Sequence, residues 1–169
     1  MLRLAHWARA RDLTTLGRHA DAVPDWDQAL ALWPAPASDN DRLEWAIALA
    51  DKGEYNRATA DAQRLAGKAP RDGRVLYNAA CVFAVASAAV ARDAKLVAGE
   101  RDALAEQYAA GAVQLLAKAR GVEYFKDARS VNHLKEDRDL DPLRRREDFK
   151  KLLTELEEQV GAGPQTRSR

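Results

Sequence analysis

Residues 16–34 read LGRHADAVPDWDQALALWP and residues 52–70 read KGEYNRATADAQRLAGKAP, the same order of small, aromatic and turn-forming residues shifted by 36 positions. The equivalent pairs are Gly17 with Gly53, His19 with Tyr55, Ala22 with Ala58, Ala29 with Leu65 and Pro34 with Pro70, and upstream of these Ala10 with Ala46. Matching residue types at a fixed spacing of this length indicate an internal structural repeat.

Each repeat predicts two amphipathic helices joined by a tight turn. A residue free to adopt positive φ, Gly17 or Gly53, closes the first helix. Pro34 or Pro70 follows the second helix, because proline cannot continue a helix and biases the residue before it away from the α conformation. The composition agrees, since the chain is rich in Ala and poor in Gly and Pro, which favours an all-α fold.

This pattern resembles the tetratricopeptide repeat, a 34-residue helix–turn–helix unit with small residues at its eighth and twentieth positions, Gly near the turn and Pro at the end. Two extra residues in the connection over residues 35–41 account for the longer period here. The resemblance implies a right-handed superhelix of about three helix pairs, whose concave face binds proteins or peptides.

A third unit begins at the spacing expected for the repeat and then departs from the pattern. Ala80 follows Ala46 by 34 residues, but Ser87 occupies the place of the turn glycine. The residues expected in its second helix arrive about 20 positions late, at Ala112, Leu116 and Ala119. We therefore expect an insertion over residues 88–105, formed by a lengthened first helix and a charged loop near residues 92–101.

The sequence after Gly121 predicts a helix that caps the open end of the stack. Asp141 and Pro142 are typical of an N-cap and a first helical position, and apolar residues follow at helical spacing, at Leu143, Phe149, Leu152, Leu153 and Leu156. We expect one domain over residues 1–160, with repeats at about 2–35, 38–70 and 73–121, a capping region at 122–160 with its helix near 143–159, and a flexible tail at 161–169.

A narrower resemblance involves three stretches, LYNAACVFA (76–84), AEQYA (105–109) and HLKEDRDLDPLRRREDF (133–149). They are similar to the C-terminal repeat segment of large bacterial proteins that carry a serine/threonine kinase or a WD40 propeller upstream. The kinase motifs themselves are not in this sequence. The resemblance implies the interaction portion of such a protein without its catalytic portion.

Charge and cysteine content argue against several classes of protein. The chain has 27 Lys and Arg against 26 Asp and Glu, so its net charge of +1 gives no broad field for nucleic acid or an anionic membrane. The uncharged stretch over residues 75–91 predicts a helix buried in protein rather than a membrane span. Because Cys81 is the only cysteine and the first residues lack the apolar run of a signal peptide, we expect a cytoplasmic protein.

No constellation in the sequence is typical of a catalytic or metal site, and no cofactor is expected. Three aspartates within residues 137–141 mimic the start of a calcium loop, but Pro142 stands where that loop needs Gly, which favours helix capping. Cys81 lies in an uncharged helix without a nearby His in sequence, which predicts an inert buried thiol. His19 stands where the repeat has an aromatic packing residue, so we expect a partly buried structural role.

The candidate binding site is the set of outward positions on the first helix of each unit, which line the concave face of such a solenoid. By the repeat register these positions are Leu4, Trp7, Arg11, Asn40, Leu43, Ile47, Asp51, Arg74 and Tyr77, with Cys81 following them on the third unit. Aromatic residues beside Arg are typical of interface anchors. The alternative is that Trp7 and Leu43 pack against each other or against the C-terminal segment.

Some tetratricopeptide domains grip a C-terminal carboxylate with basic and amide side chains on successive first helices. The matching positions here are Trp7, Arg11, Glu44, Arg74 and Asn78. Glu44 places a negative charge where the carboxylate would lie, which argues against that class of ligand.

The sequence thus predicts a non-catalytic scaffold that binds a protein or peptide, not nucleic acid or a membrane. Two alternatives stay open. The chain is the detached regulatory end of a serine/threonine kinase, or it is a homo-oligomer in which a neighbouring copy, for instance through its tail, fills the groove.

Overall fold

The structure is a computed structural model that describes residues 2–32 and 38–161. Within these residues it contains helices and no strand, which confirms the all-α prediction. The helices are α1 (Leu2–Thr15), α2 (His19–Ala31), α3 (Asp39–Lys52), α4 (Tyr55–Lys68), α5 (Gly73–Ala91), α6 (Ala98–Gly121), α7 (Ala128–Glu136), a 3₁₀ helix (Arg138–Leu143) and α8 (Glu147–Gly161). The first six form three helical hairpins, and Pro34 and the predicted tail after Gly161 lie outside the described residues.

The turns of the first two hairpins close in the same way, 36 residues apart. Gly17 has φ of 71° and Gly53 has φ of 100°, in the region that favours glycine. The amide of the next residue reaches back to the last turn of the helix, from Arg18 to the Leu13 carbonyl at 2.8 Å and from Glu54 to the Leu49 carbonyl at 2.9 Å. This is the hydrogen bond of a Schellman closure, as the glycine pattern predicts.

The predicted small residues lie at the helix contacts. Ala10, Ala22, Ala46, Ala58 and Ala80 are all fully buried, and the larger side chains predicted beside them, Trp26 and Leu65, are buried too. Because an alanine presents only a methyl group, the paired helices approach closely and the wider gaps are filled by the larger side chains.

The third hairpin is longer than the other two because both of its helices are extended. α5 continues through Ser87, whose hydroxyl donates to the Ala84 carbonyl at 2.7 Å, and ends at Ala91. α6 begins at Ala98, so the predicted charged loop is shorter than expected and residues 98–105 are helical. The Ala-rich sequence explains the difference, since Ala loses little entropy on becoming helical.

The α5 helix is the centre of the molecule. Among the described residues it is the only helix long and apolar enough to cross a membrane by length and composition, and 72% of its most apolar window is buried inside the protein. It packs against α3, α4, α6 and the 3₁₀ helix. Its apolar surface is therefore used largely in the core.

The C-terminal region is more complex than a single capping helix. The predicted start at Asp141 and Pro142 is wrong, because both residues lie in the 3₁₀ helix and α8 begins at Glu147. Asp137 caps the 3₁₀ helix instead, accepting from the Asp139 amide at 3.0 Å, since burial of Leu140 and Leu143 fixes this register. The predicted apolar stripe of α8 is buried at Phe149, Leu152 and Leu156, while Leu153 is partly buried.

Candidate functional site

A groove of about 680 Å³ lies between the first helices of the three hairpins and the segment formed by α7 and the 3₁₀ helix. Its walls are partly apolar, at Leu16 and Ile47, and partly charged. The charged and polar residues that line it are Arg11, Thr14, Thr15, Glu44, Tyr77, Asn78, His133, Glu136, Asp137, Arg138 and Asp139. We call this cavity the groove.

The nine predicted binding positions divide into two groups. Leu4, Trp7, Arg11, Asn40, Asp51 and Arg74 keep part or most of their surface exposed. Leu43, Ile47 and Tyr77 are buried, with 0%, 4% and 2% of their surface exposed, and so offer a ligand almost no surface. Packing already uses most of the surface of these three side chains, although Ile47 and Tyr77 border the groove, so their part in binding stays a prediction.

Tyr77 is covered by the C-terminal segment of its own chain. Its hydroxyl donates to Asp137 Oδ2 at 2.6 Å, and its ring lies 5.5 Å from that of Tyr124 and 5.4 Å from that of His133, measured between centroids. Burial, with nearby Cys81 and Asp137, raises the pKa of Tyr77, so the phenol stays protonated and donates. The third hairpin thus meets the C-terminal segment at Tyr77, a contact that the sequence analysis did not predict.

Cys81 lies beneath the same segment, one helical turn after Tyr77. Its thiol is 3.8 Å from Asp137 Oδ2, and burial together with Asp137 and Asp139 raises the pKa of the thiol well above its ordinary value. The thiolate that a nucleophile requires is therefore disfavoured. This geometry agrees with the predicted inert thiol.

Cys81, Asp137 and Asp139 are the one set of described residues whose donor atoms, all within 4.8 Å of one another, could hold a metal ion. Sulfur and carboxylate oxygen are ligands that zinc accepts. However, both carboxylates already have protein partners, Asp137 with Tyr77 and its own 3₁₀ helix, and Asp139 with His19. These contacts of Asp137 and Asp139 with other protein groups explain why the three donor atoms lie close together.

His19, at the start of α2, reaches the groove region from the side. It is 8% exposed, and its Nε2 is 3.1 Å from Asp139 Oδ1. Burial lowers the pKa of His19, but the hydrogen bond and charge of Asp139, with the charges of Asp51 and Asp137, outweigh it and raise the pKa. Its Nδ1 is buried without a hydrogen-bond partner. The structure therefore links His19 to a residue that sequence spacing did not suggest.

A set of contacts between α1 and α3 is centred on the groove residues Arg11 and Glu44. The Arg11 guanidinium lies 4.8 Å above the Trp7 ring and pairs with Glu44 at 3.2 Å, while the Trp7 indole donates to Asp41 at 3.0 Å. Burial raises the pKa of Glu44 despite the opposing charge of Arg11. These contacts hold an aromatic ring and a cation in fixed positions at the surface.

An amide pair lies farther along the same face. Asn78 of α5 donates to the Asn40 oxygen at 3.1 Å, and both residues are partly buried. A side-chain amide has two N–H groups and an oxygen with two lone pairs. Each asparagine thus retains hydrogen-bonding capacity beyond this mutual bond.

Further cavities lie outside the groove, and two of them are relevant here. A side pocket of about 340 Å³ adjoins it through Leu16, Gly17, Arg138 and Asp139, and contains Asp51, which pairs with Arg92 at 3.0 Å. A second cavity of about 650 Å³ lies between α4 and α6, with Phe83 in its lining. The second cavity contains few charged groups, so the groove has the richer polar chemistry.

Comparisons of the chain with models of known protein families, with characterised proteins and with solved structures found no match. The functional argument therefore depends on the geometry. That geometry combines a fixed aromatic–arginine pair, part-exposed amides and an unfilled groove, which are features suited to non-covalent binding.

Proposed function

We propose that the chain is a non-catalytic scaffold module that holds a segment of a partner protein in the groove. The observation that carries this proposal is a cavity of about 680 Å³ that the hairpins and the C-terminal segment leave open. Of the nine predicted binding positions, Arg11, Ile47 and Tyr77 line this groove and Asp51 lines the adjoining side pocket. Trp7 lies one helical turn before Arg11 on α1. A tetratricopeptide relationship is part of the proposal, since the repeated glycine turns and buried alanines support it.

The side chains at this site suit a peptide partner. Trp7 offers an aromatic face whose orientation Arg11 and Asp41 already fix, which reduces the entropy lost on binding. Asn40 and Asn78 offer amide groups of the kind that pair with a peptide backbone. With a net charge of +1 and one cysteine, we propose a cytoplasmic partner protein rather than nucleic acid or lipid.

A random 12-residue peptide library, displayed on phage and selected on the immobilised chain, tests the proposal. We expect enriched peptides whose binding weakens about tenfold or more with Trp7→Ala, because buried aromatic anchors dominate such interfaces. Failure to enrich any peptide, or enriched peptides indifferent to Trp7→Ala, would contradict the proposed site.

The chain supplies a matched control in Trp45, which lies on the same helix as Glu44. Its partners, Asp27 and Arg57, do not line the groove, whereas Trp7 contacts the groove residue Arg11. The Trp45 indole donates to Asp27 at 3.1 Å, and the Arg57 guanidinium lies 4.8 Å from its ring, so its surroundings copy those of Trp7. Trp45→Ala should affect folding about as much as Trp7→Ala while leaving peptide binding unchanged. Circular dichroism of both variants separates loss of binding from loss of helicity.

Self-association is a second candidate, favoured by apolar side chains at the first hairpin. Leu2, Leu4 and Leu16 are 66%, 54% and 65% exposed. Leu2 and Leu4 lie at the start of α1 and Leu16 follows its end. Exposed large apolar side chains are surfaces that a second copy of the chain could cover. Light scattering at two protein concentrations distinguishes a dimer, whose mass rises with concentration, from a monomer that binds a separate partner.

A further inference from the structure

The groove and its side pocket carry an excess of negative charge that the whole chain does not. Among the described residues, six carboxylates line the two cavities, namely Glu44, Asp51, Glu136, Asp137, Asp139 and Asp141. Three arginines line them as well, namely Arg11, Arg92 and Arg138. With neutral histidines this leaves an excess of three negative charges, although the chain as a whole has a net charge of +1.

The carboxylates differ in whether another protein side chain or amide already pairs with them. Asp51 has Arg92, and Asp137 has Tyr77 and the 3₁₀ amide. The Glu136 side chain, in contrast, is exposed and forms no hydrogen bond or ion pair with another described residue. An incoming cation would therefore meet Glu136 without first breaking a protein contact.

Glu44 is a partly buried carboxylate of the groove that already pairs with one arginine. Arg11 lies 3.2 Å from it, yet that pairing does not offset its burial, which raises the pKa of Glu44. A second cation near this side chain would favour its ionised form. The same field disfavours an anionic ligand, in agreement with the sequence argument against a bound C-terminal carboxylate.

The groove walls also match the stem of a long basic side chain. Leu16, which is 65% exposed, contributes apolar surface to a cavity whose other lining includes Glu44, Glu136 and Asp139. Arg and Lys bury their methylene groups against apolar surface while the charged end meets carboxylates or water.

We propose that the partner segment is basic, and that it places an Arg or Lys side chain in the groove against Glu44 and Glu136. This inference rests on the proposed function and specifies the chemistry of its ligand. Electrostatic complementarity of this kind sets partner choice and speeds association.

The same peptide selection tests two questions separately, namely whether any peptide binds and whether the peptides that bind are basic. We expect the enriched peptides to contain more Arg and Lys than the starting library. In the tightest binder, Arg→Gln should weaken binding about tenfold at the residue that enters the groove. Its affinity should also fall as NaCl rises from 50 to 300 mM, since salt screens the attraction.

Conservative variants locate the contact. Glu136→Gln should weaken the basic peptide about two- to fivefold, as expected for an exposed ion pair, and should weaken its Arg→Gln analogue hardly at all. Glu158→Gln, an exposed glutamate on α8 outside the groove, is the control and should change neither affinity. Because Glu136 has no structural partner, these variants should fold normally.

Two outcomes overturn the inference in different ways. Neutral or acidic peptides that still depend on Trp7 would refute the basic ligand and leave the proposed function standing. A selection that yields no peptide dependent on Trp7 would refute both. Basic peptides that bind Glu136→Gln and Glu158→Gln equally well would refute the assigned contact.

Discussion

The Tyr77 hydroxyl donates a 2.6 Å hydrogen bond to Asp137 Oδ2, which joins α5 to the C-terminal segment across 60 positions of sequence. The same carboxylate caps the 3₁₀ helix through the Asp139 amide. One side chain thus fixes the start of this helix and attaches it to the core. Both residues line the groove, so this contact helps to shape its wall.

The variant Tyr77→Phe should destabilise the protein by about 1–2 kcal/mol, because the partly buried Asp137 loses a donor that no water readily replaces. Urea unfolding followed by circular dichroism measures the change. Tyr55→Phe is the matched control, since the Tyr55 hydroxyl donates at 2.9 Å to Asp93 at the surface, where water substitutes. Equal losses in the two variants would contradict the structural role assigned to Asp137.

The buried alanines predict a strong asymmetry between two substitutions of the same type. Ala46 is fully buried between helices, so Ala46→Leu should cost about 1–3 kcal/mol or more through overpacking. Ala60 is exposed on α4, and Ala60→Leu should change the free energy of unfolding by less than about 0.5 kcal/mol. Thermal and urea unfolding of both variants checks the register of the repeat; comparable stability would place Ala46 outside the helix contact.

Replacing glycine by alanine should change the free energy of unfolding in opposite directions at two positions. Gly53 has φ of 100°, so Gly53→Ala should lower the free energy of unfolding by about 1 kcal/mol or more. The cost comes from the backbone alone, because no neighbouring atom lies within 4 Å of the position that the added Cβ would take. Gly67 lies in α4 with open space around it, so Gly67→Ala should stabilise by up to about 1 kcal/mol. The measurement is the urea midpoint, and a stabilising Gly53→Ala would contradict the positive φ at the turn.

The repeat itself could be predicted because its signals are local. Gly17 and Gly53 end helices through their own backbone freedom, and the alanines follow the period of a helix face. The start of the 3₁₀ helix could not be predicted in this way. Three aspartates at alternate positions satisfy the same capping pattern, and burial of Leu140 and Leu143 against distant helices selects Asp137.

The binding positions could be predicted only in part for a related reason. Repeat register places a residue on the first helix of a unit, but it does not show what covers that residue. Tyr77 and Cys81 follow the register, yet a segment more than 50 residues later packs over them. The aspartate pattern of residues 137–141 was noticed in the sequence, but nothing local linked it to α5 or to His19.

The ion pair between His19 and Asp139 predicts a pH-dependent contribution to stability. The pKa of His19 is raised above its ordinary 6.5, so the folded chain holds this proton more tightly than the unfolded chain does. The resulting stabilisation is complete below about pH 6.5 and is lost as the pH rises through the folded pKa. We expect the difference in unfolding free energy between the wild type and His19→Gln to be larger at pH 6 than at pH 9. Asp139→Asn should reduce this pH dependence, because it removes the charge that raises the pKa. An NMR titration of the His19 ring protons measures the pKa directly, and a value below 6.5 would show that burial outweighs Asp139.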